Sequence, residues 1–319
     1  MTAVSVVTPF RDAERHLAEA IRSVQSQTWG NWELVLVDDR SEDASSSIAA
    51  AAAADDARVR LVRTPSGEAE GAAAARNKGI AASVGEHIAF LDADDVYEPH
   101  QLETQLRAFR SYPRIAMVYG PTHWWHPGSE HRDWIEQMRP LAGQVHEPPA
   151  LLNRVLLLQR GHVPCTCSVM IRRSALAAVG GFEESFDLYE DQTLWVKIML
   201  RFPIFVSDAV GSRYRQHDAS TTARSERSGR YDRMGPHDAR VAFLQWIGDH
   251  VGASGSSVPS IEHALRLARA SNGDPTVVLA RRDRVTLAAL ACRRRWRGRI
   301  RVLRRRLLPA AEGGAIKVR

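Results

Sequence analysis

Cysteine is scarce in this 319-residue chain: only Cys165, Cys167 and Cys292 occur. Three thiols are too few for a disulfide framework, so an ordinary buried core must hold the fold, and a reducing setting is expected. Cys165-Thr-Cys167 is at most half of a metal site, since no second Cys pair or His pair accompanies it. Its thiols are expected to be buried or to line a site. No run approaches the ~18 apolar residues of a membrane-crossing helix. The first residues, Met1-Thr-Ala-Val-Ser5, have no basic stretch leading into an apolar one, so no secretory signal and a cytoplasmic location are expected. No internal repeat is found. What remains is a globular composition, 44% apolar and 25% charged, with a length that suits one large domain or two small ones.

The charge is uneven. Between Arg281 and Arg306 stand twelve arginines and one acid, Asp283, for a local +11. The whole chain carries +6, so everything else sums to −5. The basic character belongs to a tail.

The informative stretch is Ile88-Ala-Phe-Leu-Asp-Ala-Asp-Asp95, a short apolar run ending in three carboxylates. It reads as a buried parallel strand whose acids sit where the chain leaves the sheet, the end at which α/β sheets bind ligands. Carboxylates clustered there need a cation or strong donors to stay ionised. A hard divalent ion, Mn2+ or Mg2+, shared with a substrate phosphate meets that need. Capping of the helix that starts near Pro99 is the plainer alternative.

Strands are expected at 4–8, 33–38, 58–62 and 88–91, and helices over 13–27, from Ser41 or Asp43 to about Ala54, and from Gly71. Leu17, Ala20, Ile21 and Val24 give the first helix one apolar face. This alternation predicts a doubly wound, mostly parallel, Rossmann-like sheet. Beyond it lie an expected strand at 115–119, a polar aromatic insertion around Thr122-His-Trp-Trp-His126, and a strand at 166–171. Helices are expected at 173–179 and 192–200, and short strands at 204–207 and 211–214. Residues 220–233 read as polar and mobile, 239–250 and 261–270 as helices, and 276–308 as a helical Arg-rich extension.

Six patterns in register resemble the family 2 glycosyltransferases, inverting enzymes of the GT-A fold. They are Val4-Ser-Val-Val-Thr-Pro9, Ala20-Ile-Arg-Ser-Val-Gln-Ser-Gln-Thr28, Val37-Asp-Asp-Arg-Ser41, Ala75-Arg-Asn-Lys-Gly79, Phe90-Leu-Asp-Ala-Asp-Asp95, and Gly180-Gly-Phe182 with Tyr189-Glu-Asp191. The resemblance covers about residues 3–220. It implies a nucleotide-sugar donor, UDP by preference, a divalent metal, and transfer with inversion to a glycan, lipid-linked or small-molecule acceptor. It divides the chain into a donor-binding half, 1–115, an acceptor-binding half, 116–222, and a basic helical extension, 223–319.

The resemblance also assigns residues. Asp94 is the metal contact, with Asp95 and His217 as further metal candidates, His217 alternatively contacting the diphosphate. Asp92 binds the ribose or completes the metal shell. Thr8, Pro9 and Phe10 line the donor pocket, the Phe10 ring stacking on the base, and Asp39 accepts the imide N–H of uracil. Arg76 pairs with phosphate or holds Asp39. Arg11 and Arg40 replace the Asn and Gly common in the family, which bears on base and phosphate preference. Asp191 is the general base and Glu190 its acceptor-orienting neighbour. The helix dipole at Asp191 lowers its pKa, so an apolar surround from Trp195 and Phe186 is expected to compensate. Trp124 and Trp125 are acceptor-site candidates, with core packing as the alternative.

For the 281–306 tail, contact with an anionic membrane surface is the leading expectation beside a solvated tail, because leucines and Trp296 interleave the arginines. No specific nucleic-acid partner is expected. The absence of a Gln-x-x-Arg-Trp motif points away from the processive synthases of the family. Two rivals remain. A sugar-1-phosphate nucleotidyltransferase would want a Gly-rich phosphate loop where this chain has Thr8-Pro-Phe-Arg-Asp12. A non-catalytic carbohydrate- or lipid-binding module would not need the acids that are present.

Overall fold

A computed structural model describes residues 3–64, 69–232, 235–279 and 283–288. The donor half runs β1 (Val4–Phe10), α1 (Leu17–Gln25), β2 (Trp32–Asp38), α2 (Ser45–Asp55), β3 (Val59–Arg63), α3 (Ala72–Ala82), β4 (His87–Phe90), β5 (Val96–Tyr97) and α4 (Gln101–Ser111). Then come β6 (Met117–Tyr119), β7 (Thr122–Trp125), β8 (Trp134–Ile135), β9 (Gln144–His146), β10 (Val169–Arg172), α5 (Arg173–Val179), α6 (Glu190–Arg201), β11 (Ile204–Val206) and β12 (Ser212–Arg215). Helices α7 (Thr221–Arg227), α8 (Asp238–Ala253) and α9 (Pro259–Ser271) follow.

Eight strands form one sheet in the order β3-β2-β1-β4-β10-β6-β11-β9. The first four are mutually parallel, and β10 runs antiparallel to both β4 and β6. The two halves expected from the sequence therefore share a single sheet. Side-chain alternation divides its core between two faces. Ile88, Phe90, Met117, Tyr119, Val169 and Ile171 face α5, α6, α8 and α9. Ala89, Val118 and Met170 point the other way, toward α1 and α4. Both faces are covered, as near-continuous apolar strands require. Phe243, Ile247 and Ile261 of α8 and α9 belong to the first of these clusters, so that part of the expected extension is integral to the core.

The aromatic insertion is strand β7, which belongs to a second sheet ordered β5-β12-β7-β8. Residues 166–168 form a 3-10 turn that precedes β10. Within the stretch read as polar and mobile, Thr221–Arg227 form helix α7. Ser220 caps α7, its hydroxyl accepting the Ala223 N–H, and this satisfies a donor that a helix start otherwise leaves open. Apart from residues 283–288, the Arg-rich 281–306 segment lies outside the described residues.

Candidate active site

The carboxyl ends of β1, β2 and β4 and the N-termini of α3 and α6 converge. Asp92, Asp94 and Asp95 sit on the turn after β4, which β12 clasps. The Arg215 backbone N–H donates to Asp95 Oδ1 (2.9 Å), and its Nε donates to the Asp94 carbonyl (2.7 Å). Arg215 Nη2 reaches Glu19 at 2.6 Å. Asp95 is fully buried. Burial, then the charges of Asp94 and Asp92, push its carboxyl well above the usual range, against the Arg215 N–H and the Cys167 thiol. Asp95, expected near a metal, is thus engaged in holding the turn to β12. Asp94 points outward, with Oδ2 2.8 Å from His217 Nε2. The His16 ring lies 5.2 Å from that of His217.

Arg76, on α3, is buried and links the two ends of the site. Nη2 donates to Asp92 (2.6 Å) and Nη1 to Glu190 (3.2 Å). Burial disfavours this cation, but the two carboxylates outweigh it and raise the guanidinium's pKa. The expected Arg76–Asp39 pairing is corrected. Asp39 instead spends its oxygens on the N–H groups of Glu70 and Gly71, both at 2.9 Å. It fixes the entry to α3 at Gly71, whose φ of 89° is a left-handed value that suits glycine. A carboxylate has lone pairs left after two such bonds, so base recognition there would be shared with this role.

Asn77, which the sequence reading passed over, joins two of the patterns. Its Nδ2 donates to the Phe182 carbonyl (3.0 Å) and to Glu184 (2.8 Å), and its Oδ1 accepts the Phe182 N–H (2.8 Å). The Ala75–Gly79 and Gly180–Phe182 patterns are thus two sides of one joint. A Cβ at Gly181 would lie 2.1 Å from Asn77 Oδ1. Gly79 lets α3 approach the sheet, since a Cβ there would lie 2.3 Å from Val7 Cγ1.

The joint sets the entry to α6. Glu190 and Asp191 occupy its first turn, after Tyr189 at φ 69°. Burial, then Glu190, raises the Asp191 carboxyl to about 7, although Arg76 opposes the shift. Burial also raises Glu190, again against Arg76. The expected lowering by the helix end is therefore outweighed. Trp195 is fully buried, and Phe186 packs on the same apolar cluster.

Phe10, expected as a stacking ring, is 3% exposed and belongs to the apolar cluster on the α1 face. That leaves almost no surface for a base and corrects the expectation. Thr8 and Pro9 are interior to β1, with Pro9 opposite Val37. The Thr8 hydroxyl is buried with no hydrogen-bond partner among the described residues. Arg11 is exposed beside Asp12, and Arg40 lies 4.0 Å from Glu70. In the second sheet, Trp124 donates its indole N–H to Glu136 (3.1 Å) and stacks on Trp134. The Trp125 ring carries the Arg215 guanidinium at 4.2 Å.

The family model described as Glycosyl transferase family 2 matches residues 5–180, more than half of the chain and the span that holds β1, the Asp92–Asp95 turn and Arg76. The chain belongs to glycosyltransferase family 2.

It is 32% identical over 200 residues to the O-antigen biosynthesis protein RfbC of Myxococcus xanthus, covering 61% of this chain and 14% of that protein. It is 30% identical over 196 residues to the UDP-Glc:alpha-D-GlcNAc-diphosphoundecaprenol beta-1,3-glucosyltransferase WfgD of Escherichia coli, covering 61% and 69%. The matches are partial on both sides: the chain spans 47% of an uncharacterized glycosyltransferase of Haemophilus influenzae, with 38% of its own length aligned. Among solved structures, S. aureus TarS 1–349 in complex with UDP-GlcNAc aligns with TM-score 0.61 at 17% identity, over 85% of this chain and 71% of that one. The mannosyltransferase PcManGT of Pyrobaculum calidifontis, in complex with GDP-Man and Mn2+, aligns with TM-score 0.55 at 16% identity, over 94% and 84%. These likenesses bear out the GT-A-type sheet. No helix among the described residues is long and apolar enough to cross a membrane.

No group of three or more His, Cys, Asp or Glu side chains that could hold a metal occurs among the described residues. Of the metal candidates expected from the sequence, Asp94 and His217 meet. Two protein ligands suit Mg2+ or Mn2+, ions that complete their shells with water and substrate phosphate oxygens. The residues therefore fit a metal shared with a donor diphosphate, and do not form an all-protein cage.

Proposed function

We propose that the chain is a metal-dependent, inverting, non-processive glycosyltransferase that uses a nucleoside-diphosphate sugar, UDP by preference. The reading is carried by the Asp92–Arg76–Glu190 bridge, which sets the basic carboxyl of Asp191 beside the Asp92–Asp95 turn. On this reading the acceptor hydroxyl oxygen attacks the anomeric carbon while the bond from that carbon to the phosphate oxygen breaks. Asp191 takes the hydroxyl proton, and the nucleoside diphosphate leaves with the bond's electron pair. A carboxyl raised to about 7 is a far better base than one at its ordinary value. Glu190, steered by Arg76, orients the acceptor. A bound Mn2+ or Mg2+ would stabilise charge on the departing diphosphate. Asp94 and His217 would hold it, and Asp92 would face the donor.

The UDP-Glc-named relative WfgD and the UDP-GlcNAc complex of TarS support a UDP-sugar. WfgD's name also supports a lipid-linked saccharide acceptor of polysaccharide assembly. A cytoplasmic location, at the inner face of the membrane when an anionic surface engages the 281–306 tail, goes with such an acceptor.

The test is a thermal-shift screen of UDP, GDP, dTDP and CDP with and without Mn2+, followed by Asp191→Asn. One nucleotide should raise the melting temperature in a Mn2+-dependent way, as specific ligands do by mass action. Asp191→Asn should keep that shift and lose about 10²–10⁴-fold in sugar transfer. Transfer unchanged by the substitution would refute the base assignment.

A further inference from the structure

One buried carboxylate plays no part in the chemistry described above. Glu136 follows β8 and is 5% exposed. Its Oε2 accepts the Thr122 N–H and its Oε1 the Trp124 indole N–H, both at 3.1 Å. His162 Nδ1 lies 3.6 Å from Oε1, beyond a good hydrogen bond. Burial raises the Glu136 carboxyl to about 7, against the two hydrogen bonds it accepts. An ionisable group is costly in such a place unless its capacity is used. A carboxylate offers about four acceptor positions, and two are filled.

Around it stands an aromatic wall. Trp124 and Trp134 stack at 4.9 Å with 18° between their planes, and His162 leans on Trp134 at 5.8 Å. All three rings are part-exposed. The fully buried Tyr119 hydroxyl has no hydrogen-bond partner among the described residues, and after burial the charge of Glu136 is the largest influence that raises its pKa, opposed by Arg154. Part-exposed aromatic rings beside an acceptor with spare capacity suit a sugar, which has apolar C–H faces and hydroxyl rims.

The cluster adjoins the reaction centre. Tyr214 meets Trp124 edge-on at 4.9 Å. The next residue, Arg215, is bonded to Asp94 and Asp95. On the other flank, the Cys165 thiol feels the charges of Asp95, Glu136 and Asp92 together. Trp195 of α6 donates to the Pro164 carbonyl at 3.2 Å, which ties this loop to the helix that carries Asp191.

We propose that Glu136, the Trp124–Trp134 stack and His162 form an acceptor subsite for an uncharged pyranoside, with sugar hydroxyls donating to Glu136 and a sugar face lying on the indoles. This rests on the glycosyl-transfer reading and names the acceptor side of that same site. Glu136 is a binding and positioning group here, and proton removal stays with Asp191.

The test uses the full chain and octyl glycosides of glucose, N-acetylglucosamine, galactose and mannose, titrated by intrinsic tryptophan fluorescence. The nucleotide thermal shift is measured in parallel. At least one glycoside should bind. Glu136→Gln should weaken it by about tenfold or more, the loss expected for a hydrogen bond to a charged group, and His162→Ala, which removes a ring from the wall beside Trp134, should weaken it by about threefold or more, both with the nucleotide shift unchanged. His162 is part-exposed, so its variant decides the matter if Glu136→Gln misfolds. The proposal is overturned if no glycoside binds the nucleotide-loaded protein at tens of millimolar, or if both folded variants keep the wild-type affinity. A wild-type protein that shifts with no nucleotide refutes the transfer reading separately, and the glycoside arm still decides the subsite.

Discussion

Arg76→Met removes the charge that holds the two sides of the site together and keeps most of the side-chain stem. The Arg76 side chain is 5% exposed, and its partners Asp92 and Glu190 are 27% and 20% exposed. Removing one member of a fully buried pair costs about 3–5 kcal/mol, because the remaining charge is stranded. These carboxylates keep some water, which recovers part of that, so about 2–4 kcal/mol is expected at alkaline pH. The pH dependence has a definite sign. Arg76 lowers the carboxyl pKa of both Glu190 and Asp191, so without it both rise further above their unfolded values. Protonated, they need no cation. The destabilisation should therefore grow as pH rises through the range in which they ionise, and be larger at about pH 8 than at about pH 5.5. Urea unfolding followed by tryptophan fluorescence measures it. With a slope near 3 kcal/mol/M, the midpoint should fall by about 1 M at the higher pH. An equal fall at both pH values, or one under about 0.3 M at pH 8, would show that the bridge does not hold these carboxylates in tension.

Other consequences can be measured on the same protein. With Asp191 raised to about 7, kcat/KM for transfer should fall tenfold per pH unit below about 7 and level off above it; a profile flat down to pH 5 would exclude Asp191 as the base. Gly79→Ala forces a methyl to 2.3 Å from Val7 Cγ1 and should cost about 1–3 kcal/mol as overpacking, read as a lower urea midpoint, with Val7→Ala restoring part of it. Asn77→Ala removes the three hydrogen bonds to Phe182 and Glu184. It should cost about 1–3 kcal/mol and lower kcat more than it raises the donor KM, because it loosens the acceptor side of the site.

The main sheet was legible because its strands declare themselves locally. Val4–Phe10, Trp32–Asp38 and His87–Phe90 are apolar runs separated by helical stretches, and that alternation admits few topologies. The second sheet was not, because it is assembled from fragments: Val96–Tyr97, Thr122–Trp125, Trp134–Ile135 and Ser212–Arg215. Strands of two to four residues carry no readable period, and their partners lie up to 117 positions apart in the chain, the separation of the paired Val96 and Arg213.

The same limit acted within the site. The acids after β4 and at the start of α6 stand where a strand or helix ends, so local pattern found them. Which of them Arg76 holds depends on how α3 leans on the sheet, and that is set by the missing Cβ at Gly79 and by Asn77 gripping Phe182. Glu136 gave no signal because an acid in the charged stretch Arg132-Asp-Trp-Ile-Glu136 looks like a solvated residue. Only the fold reveals that β7 and β8 bury it. The residues that bear the chemistry thus follow element ends and can be read in advance. Those that decide what the chemistry acts on sit where short strands meet, and burial, the property that makes Glu136 a candidate, is conferred by residues distant in sequence.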